Sequence, residues 1–421
     1  MARRLGCHLN QWCSRMCAIE LDRRGDPVYF ALNPNPPSYS ERLGIHDFLD
    51  QGKGYSVHVS AGDRIQSARL YCELQNTLAT QLPRTCSVWA MHAFQPDVDN
   101  SVIKGFFIQD AQDLPHTGGV LQDLVQRHRL DLCSYVPGED GTQWWQWIWS
   151  QPDDKTMRVV HKYCIVAADI PEQHPSVLSI RNSVVFYSFE DAYTVLQECI
   201  EVIPESKEVL ELADRCLHPK TRGDFPIIVI EGLDATGKTT LTQSLREALE
   251  GVLLRSPPAC LSQWRARFDA EPPLIRRAFY ALGNYITADQ IARESMQAPV
   301  VVDRYWHSTA AYAIATEVSG KLENLPAPGS AEYRWPSDLL GPDLVVLLTV
   351  SPEERLRRFR GRGDDKTREE AELEANNLFR LKVEETYRRI GDPVCTIVDA
   401  SPSREEVLQE VLQLVQSKFH V

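Results

Sequence analysis

Short, mostly apolar runs recur through the second half of the chain. Four of them, rich in β-branched residues, lie at 225–230, 252–254, 299–302 and 343–350. Runs of this length are typical of strands buried on both faces, as in a parallel sheet. After the first run, residues 241–249 carry apolar side chains at helical spacing. The second half is therefore predicted to be an α/β domain with a parallel sheet flanked by helices.

The first run leads into a phosphate-binding loop. Gly232–Thr239 fits the pattern G-x-x-x-x-G-K-[ST] without a mismatch. The glycines let backbone N–H groups wrap an anion, and the N-terminus of the following helix adds positive potential. Lys238 supplies a charge, and Thr239 supplies a hydroxyl for Mg²⁺. We expect the phosphates of a nucleotide to contact nine residues: Gly232, Leu233, Asp234, Ala235, Thr236, Gly237, Lys238, Thr239 and Thr240.

An acid and an arginine follow the run at 299–302. Because the carboxyl ends of parallel strands meet at one edge, Asp303 is expected beside the phosphate loop, where it can hold Mg²⁺ and its waters. The planar fork of Arg304 suits a second phosphate group, which a hydrolase using water as acceptor would not require. A structural ion pair at the strand end is the alternative.

An arginine cluster follows the run at 343–350. Arg355, Arg358 and Arg362 have the spacing i, i+3 and i+7, which places them on one face of a helix. Arginines that close over a transferring phosphoryl group stabilise its charge and exclude water. A solvated surface is the alternative. The candidate lid residues are Arg358, Arg360, Arg362 and Arg368, with Arg358 and Arg362 expected to be catalytic.

Together these motifs resemble the thymidylate kinase family of nucleoside monophosphate kinases. The resemblance covers residues 225–421 and rests on four segments: Ile230–Asp234, Gly237–Thr240, Val302–Tyr305 and Val398–Ser401. It implies phosphoryl transfer from ATP, with Mg²⁺, to a nucleoside monophosphate. Lys238 would then bridge the donor phosphates and Arg304 would hold the acceptor phosphate. Thr239 would ligate the metal, and Asp303 would order it.

The same resemblance implies an acceptor site. Asp234 matches the position that contacts the acceptor sugar, and Arg255 matches a second acceptor-phosphate region. Phe279 matches an aromatic ring that stacks on the pyrimidine base, with a core phenylalanine as the alternative. Thymidylate kinases carry an arginine four residues after that ring, where this chain has Gly283. This departure loosens the expectation of dTMP as acceptor and leaves room for a base with an exocyclic amine or a different edge. The resemblance implies UMP, CMP, dUMP and dCMP as acceptors.

Two other functions are compatible with a phosphate-binding loop. A kinase acting on a nucleoside 5′-hydroxyl needs a carboxylate base and less positive charge, so Arg304 and the lid arginines argue against it. A regulatory nucleotide-binding protein could carry a vestigial kinase site. The complete set Gly232, Gly237, Lys238 and Thr239 argues against that function.

Length and composition predict two domains. The chain has 421 residues, of which 43% are hydrophobic. We expect a linker at 218–224, which contains Pro and Gly, and the kinase domain at 225–421. Residues 25–217 are expected to form a mixed α/β domain of unknown fold and function. Within it, Trp145, Trp147 and Trp149 alternate onto one face of a predicted strand, as a base-stacking platform or as a core or interdomain surface.

Charge distribution limits partners and location. A net charge of −13 argues against nucleic-acid binding, and no run of 18 apolar residues is available to span a membrane. Arg3, Arg4 and Arg15 precede the first acid, Glu20, so residues 1–24 are expected to be a mitochondrial transit peptide. A disordered basic tail is the alternative. The expected partner is a pyrimidine nucleoside monophosphate, and a homodimer is one candidate assembly state.

Overall fold

The computed structural model describes residues 15–21, 25–35, 42–59, 62–113, 115–128, 130–139, 141–150, 157–216, 222–360 and 376–419. The chain divides into two compact units. One unit ends at Ser179 and also contains Val318–Asn324. The other comprises Ile180–Glu317 and Leu325–Val421. No helix in the described ranges is both long enough and apolar enough to cross a membrane.

The first unit is built on a closed antiparallel barrel of eight strands. The order around the barrel is β1-β2-β8-β7-β6-β3-β5-β4. In chain order the strands are β1 Met16–Ile19, β2 Val28–Asn33, β3 Lys53–Val59, β4 Cys86–Phe94, β5 Ile103–Asp110, β6 Leu130–Pro137, β7 Trp144–Ser150 and β8 Arg158–Val166. The helices are α1 His46–Leu49, α2 Arg64–Gln81 and α3 Pro115–Arg127. Over the part of this unit that the structure describes, the expected mixed α/β region is thus a barrel with three α-helices.

The tryptophans of β7 alternate between the two faces of the barrel wall. Trp144 belongs to the barrel core, whereas Trp145, Trp147 and Trp149 share the other face and are each partly exposed. Lys162 Nζ lies 4.2 Å from the centroid of the Trp147 ring, and the Trp149 indole N–H donates to Ser134 Oγ at 2.8 Å. The predicted alternation is confirmed, and the shared face lies outside the barrel core.

Strand β1 lies within the predicted transit peptide. It pairs with β2 on one side and with β4 on the other, and the side chains of Cys17, Ala18 and Ile19 are at most 1% exposed. Cleavage after residue 24 would therefore remove a strand that closes the barrel. We restrict the transit-peptide proposal to residues before Arg15, which lie outside the described residues.

Shortened chains should reveal the importance of β1. A protein that begins at Arg15 should retain the unfolding temperature of the full chain. A protein that begins at Gly25 loses the buried strand and exposes the edges of β2 and β4, so the barrel unit should unfold at a lower temperature and aggregate. Calorimetry and limited proteolysis can test both. Equal stability of the two shortened chains would contradict the role assigned to β1.

The second unit contains a five-stranded parallel sheet in the order β10-β11-β9-β12-β13. Its strands are β9 Ile227–Gly232, β10 Val252–Arg255, β11 Val300–Asp303, β12 Leu344–Thr349 and β13 Cys395–Asp399. Its helices are α4 Phe189–Glu198, α5 Glu205–Asp214, α6 Lys238–Ala248, α7 Arg265–Asp269, α8 Pro273–Glu294, α9 Trp306–Glu317, α10 Pro352–Arg360, α11 Asn377–Arg389 and α12 Arg404–Phe419. The four apolar runs all form strands, and the predicted parallel sheet with flanking helices is confirmed.

The boundary between the units differs from the predicted one. Helices α4 and α5, which were expected in the N-terminal domain, pack on α8 in the second unit. The Phe189 ring meets the Tyr285 ring edge to face at 5.4 Å, and the Phe189 N–H donates to Asp338 Oδ2 at 2.7 Å. These contacts move the boundary to 179/180. More than half of the predicted linker, residues 218–221, lies outside the described residues.

Candidate active site

The phosphate-binding loop joins the central strand β9 to α6. Gly232 has φ 142° and Gly237 has φ 96°, values that favour glycine. A Cβ on Gly232 would lie 2.6 Å from the carbonyl oxygen of Leu348 in the neighbouring strand, so only glycine fits there. Lys238 begins α6, and its ammonium group donates to the Leu233 carbonyl at 2.7 Å. Burial, together with nearby Arg304, lowers the pKa of Lys238 to about 8.

Strand register brings Asp303 and Arg304 to this loop. Strand β11 pairs with β9 so that Asp303 lies opposite Ile230, and the Arg304 N–H donates to the Ile230 carbonyl at 3.1 Å. Arg304 has φ 65°, and its guanidinium donates to Asp234 Oδ1 at 2.5 Å. Asp234 in the loop and Arg304 after β11 are therefore paired with one another.

Two oxygen donors are available for a metal ion. Thr239 and Asp303 line the same cavity. Asp303 Oδ1 is buried and has no hydrogen-bond partner among the described residues. A buried carboxylate oxygen without a donor is costly unless a cation or water satisfies it. Hard oxygen ligands beside a phosphate-binding loop fit Mg²⁺.

A first cavity of about 300 Å³ opens on one side of the loop. Among the described residues that line it, five are cations and only two are carboxylates, Asp234 and Asp303. This excess of positive charge suits a ligand that carries several negative charges. The five cations are Lys238, Arg255, Arg265, Arg277 and Arg304. No sequence motif identifies Arg265 and Arg277 as site residues, so only the structure shows that they line this cavity.

A second cavity of about 450 Å³ shares Ala235 and Gly237 with the first. Thr236 and Thr240 also line it, and so do three arginines and the turn after β13. The residues from those elements are Arg357, Arg358, Arg404, Ala400 and Pro402. The family motif Val398–Ser401 identified this turn in the sequence. Arg357 and Arg404 lie on helices whose sequence pattern does not mark them as residues of a cavity.

The predicted lid helix is α10. Arg358 donates to the Thr236 carbonyl at 3.2 Å and to the Ala400 carbonyl at 2.6 Å, so it bridges the phosphate loop and the turn after β13. Arg355 is buried, and its Nε donates to the Asp234 carbonyl at 3.2 Å. Arg362, Arg368 and the side chain of Arg360 lie outside the described residues, so their assignment stays a prediction.

The expected base-stacking role of Phe279 is corrected. Its side chain is fully buried and stacks on Phe268, with ring centroids 4.4 Å apart and an interplanar angle of 8°. It therefore offers no ring face to the cavity, in keeping with the alternative of a core phenylalanine. The next residue, Tyr280, lines the cavity and is partly exposed. Its hydroxyl donates to Asp269 Oδ1 at 2.7 Å, which fixes the ring.

Gly283 also lies away from the cavity surface. A Cβ there would be 3.0 Å from the Cβ of Pro257, and Pro257 itself lines the cavity. The absence of a side chain at 283 therefore allows α8 to pack behind Pro257. The position four residues after Phe279, where thymidylate kinases carry an arginine, therefore does not show which groups of this chain contact the base.

Comparisons with known proteins identify relatives of this chain. A family model described as "Thymidylate kinase" matches residues 230–411. The chain is 48% identical over 401 residues to "UMP-CMP kinase 2, mitochondrial" of Homo sapiens, covering 94% of this chain and 86% of the relative. It is 27% identical to "Probable thymidylate kinase" of Archaeoglobus fulgidus (45% of this chain, 95% of the relative) and 30% identical to "Thymidylate kinase" of Arabidopsis thaliana (47% and 72%).

The sheet, the phosphate loop and these likenesses define the protein as a nucleoside monophosphate kinase. The chain belongs to the thymidylate kinase family. Its likeness to UMP-CMP kinase 2 includes the barrel unit, whereas the alignments with the two thymidylate kinases extend over less than half of the chain.

Proposed function

We propose that this enzyme transfers the γ-phosphoryl group of ATP, with Mg²⁺, to UMP and CMP and to their deoxy forms. The acceptor phosphate oxygen attacks the γ-phosphorus, the bond to the β-phosphate oxygen breaks, and the products are ADP and a nucleoside diphosphate. The observation that carries the proposal is the cavity with five cations beside the phosphate loop. Phosphoryl transfer brings two anionic nucleotides together around one phosphoryl group, and a high density of cations stabilises the negative charge that collects there.

The two cavities suggest separate places for the two nucleotides. The second cavity, lined by Arg357, Arg358 and Arg404, would take the base and ribose of ATP. The backbone N–H groups of Gly232–Thr239 would hold its phosphates, and Lys238 would stabilise charge on the transferring group. Thr239 and Asp303 would hold Mg²⁺, which neutralises phosphate charge when bound. Arg358, fixed to the loop, would add positive charge on the donor side.

The first cavity would take the acceptor. Arg304 and Arg255 would bind its phosphate, Asp234 would contact its sugar, and Tyr280 would stack on its base. Asp234 is paired with Arg304, and Asp303 faces the proposed metal site, which leaves neither carboxylate placed as a base for a sugar 5′-hydroxyl. This arrangement favours a monophosphate acceptor over a nucleoside. Intact loop residues argue against a vestigial site.

One assay of ADP formation tests the proposal. Wild-type enzyme with ATP and Mg²⁺ should use UMP and CMP with kcat/KM values within about tenfold of each other, because a stacking ring recognises either pyrimidine. AMP and uridine should be poor acceptors. Reactions without acceptor give the background hydrolysis rate. Efficient use of uridine, or equal use of AMP and CMP, would overturn the proposal.

Tyr280 should determine how well the base binds. Tyr280→Ala removes the ring and should raise the KM for UMP by about tenfold, the size expected for one base-aromatic stack. Tyr280→Phe keeps the ring and loses only the hydroxyl that binds Asp269, so its KM should change by less than about threefold. Steady-state kinetics of the two variants can check this. An equal loss in both would assign the effect to the hydrogen bond instead.

A mitochondrial location is supported by the name of the human relative and by the arginine-containing, acid-free segment before Glu20. Residues 1–14 fused to a fluorescent reporter should direct it to mitochondria. A diffuse cytosolic signal would count against the proposal. Removal of these residues would leave β1 in the mature protein.

A further inference from the structure

Glu231 is a buried carboxyl group directly before the phosphate loop. It is the fifth residue of β9, and its side chain is fully buried. It does not line either of the two cavities described above. A buried carboxyl group is expensive unless it is well hydrogen-bonded, and burial raises the pKa of Glu231. Its partners therefore indicate what it stabilises.

One oxygen of Glu231 holds the start of α9. Oε1 accepts hydrogen bonds from the N–H groups of Tyr305, at 2.8 Å, and Ser308, at 3.2 Å. The first N–H groups of a helix lack partners within it, so a carboxylate from β9 caps this helix from outside. Arg304, the residue before Tyr305, has φ 65°, an unusual value for arginine. Glu231 thus fixes the backbone on the C-terminal side of that strained residue.

The other oxygen acts on the Arg304 side chain through a hydroxyl. Ser308 Oγ donates to Glu231 Oε2 and accepts from the Arg304 guanidinium at 3.1 Å. A serine hydroxyl has one proton to donate. Because Ser308 donates it in the hydrogen bond to Glu231, the lone pairs of Ser308 are available to accept from Arg304. The Tyr387 hydroxyl also donates to Oε2, at 3.2 Å. The direction of donation is therefore from Arg304 to Ser308 to Glu231.

We propose that Glu231 is a positioning residue that orients Arg304 toward the acceptor phosphate, through the backbone of Tyr305 and the hydroxyl of Ser308. The inference rests on the proposed role of Arg304 as an acceptor-phosphate ligand. Asp234 holds one nitrogen of the guanidinium, and the Glu231–Ser308 pair holds another. Two fixed contacts define the plane of the fork, which a planar group needs for bidentate phosphate binding.

The variant Glu231→Gln tests this arrangement at nearly constant volume. An amide has one oxygen and one NH₂ group, so either the two backbone N–H groups or the Ser308 hydroxyl loses its acceptor. The KM for UMP should rise by about tenfold or more, the effect expected from loss of a hydrogen bond to a charged group. The Kd of ATP measured without acceptor should change by less than about twofold, because Glu231 acts on the acceptor side. An equal weakening of ATP binding would overturn the proposal.

Two further variants test the relay itself. Ser308→Ala breaks the link to Arg304 but leaves the carboxylate of Glu231, so it should also raise the KM for UMP. This variant keeps the proposal testable if Glu231→Gln does not fold. The double variant should be no worse than the more impaired single variant, because both changes break one chain of contacts. Additive losses would contradict that. Ser417→Ala, on the exposed surface of α12, is the matched control for Ser308→Ala and should leave the KM unchanged.

Arg304→Lys separates failure of this inference from failure of the proposed function. If Arg304→Lys leaves the KM for UMP unchanged, Arg304 does not bind the acceptor phosphate. The role that the proposed function gives to Arg304 is then wrong. If Arg304→Lys raises the KM while Glu231→Gln and Ser308→Ala do not, Arg304 needs no positioning by Glu231. A rise in all three variants supports both claims.

Discussion

Replacing Lys238 with methionine should lower kcat by at least about 100-fold while the protein remains folded. Loss of one preorganised charge that stabilises a transition state typically costs about 10²- to 10³-fold. Water cannot substitute here, because Lys238 is buried and its ammonium group is fixed on the Leu233 carbonyl. Single-turnover measurements of phosphoryl transfer at saturating ATP and UMP check the size of the loss.

Stability measurements distinguish lost chemistry from lost structure. Burial penalises the charged amine, as the lowered pKa of Lys238 shows, so an apolar side chain of similar length should not reduce the unfolding temperature at pH 7. Arg246→Ala, on the exposed surface of the same helix, is the matched control and should keep wild-type activity. More than about a tenth of wild-type turnover in Lys238→Met would refute the role of Lys238.

The second large effect is expected from Arg304→Lys. Lysine keeps the charge but loses the planar fork that binds Asp234 and Ser308 together, so the acceptor phosphate loses a bidentate partner. We expect kcat/KM for UMP to fall by about 10²-fold or more. The Kd of ATP without acceptor should remain within about threefold of wild type. Calorimetric titration of ATP and steady-state kinetics with UMP measure the two quantities separately.

A control for the change from arginine to lysine is available on the surface of the same unit. Arg334 is exposed, and Arg334→Lys should leave both measurements unchanged. Should Arg304→Lys weaken ATP and UMP equally, the arginine would have a general structural role at the loop. That outcome would remove it from the acceptor site.

Local sequence is sufficient to predict the structure at the centre of the kinase unit. The apolar run of β9, the two glycines of the loop and Asp303 at the end of β11 each carry a signal within a few residues, and parallel pairing then brings them together. The predicted positions of Lys238, Thr239, Asp303 and Arg304 around one cavity follow from this logic.

Other features depend on contacts between distant residues. Helix α8 is buried on most sides, so its pattern does not tell which face reaches the cavity. The resemblance pointed to Phe279, whereas Tyr280 lines the cavity. The partners of Glu231 come from α9 and α11, which no spacing rule connects with β9. The eight barrel strands are short and only partly alternating, and their closure depends on pairing β1 with β4, more than 60 residues apart.

The division between the units bears on how this enzyme can be dissected. Residues 318–324 follow α9 in sequence, yet their partners are in the barrel unit: Lys321 binds Asp26 at 2.6 Å, and the Ser319 N–H donates to Ser176 Oγ at 3.2 Å. A catalytic fragment that starts at residue 225 would carry this segment without those partners and would lack α4 and α5, exposing the side of α8 that they cover. A minimal catalytic fragment should start at Ile180, with a short polar replacement for 318–324.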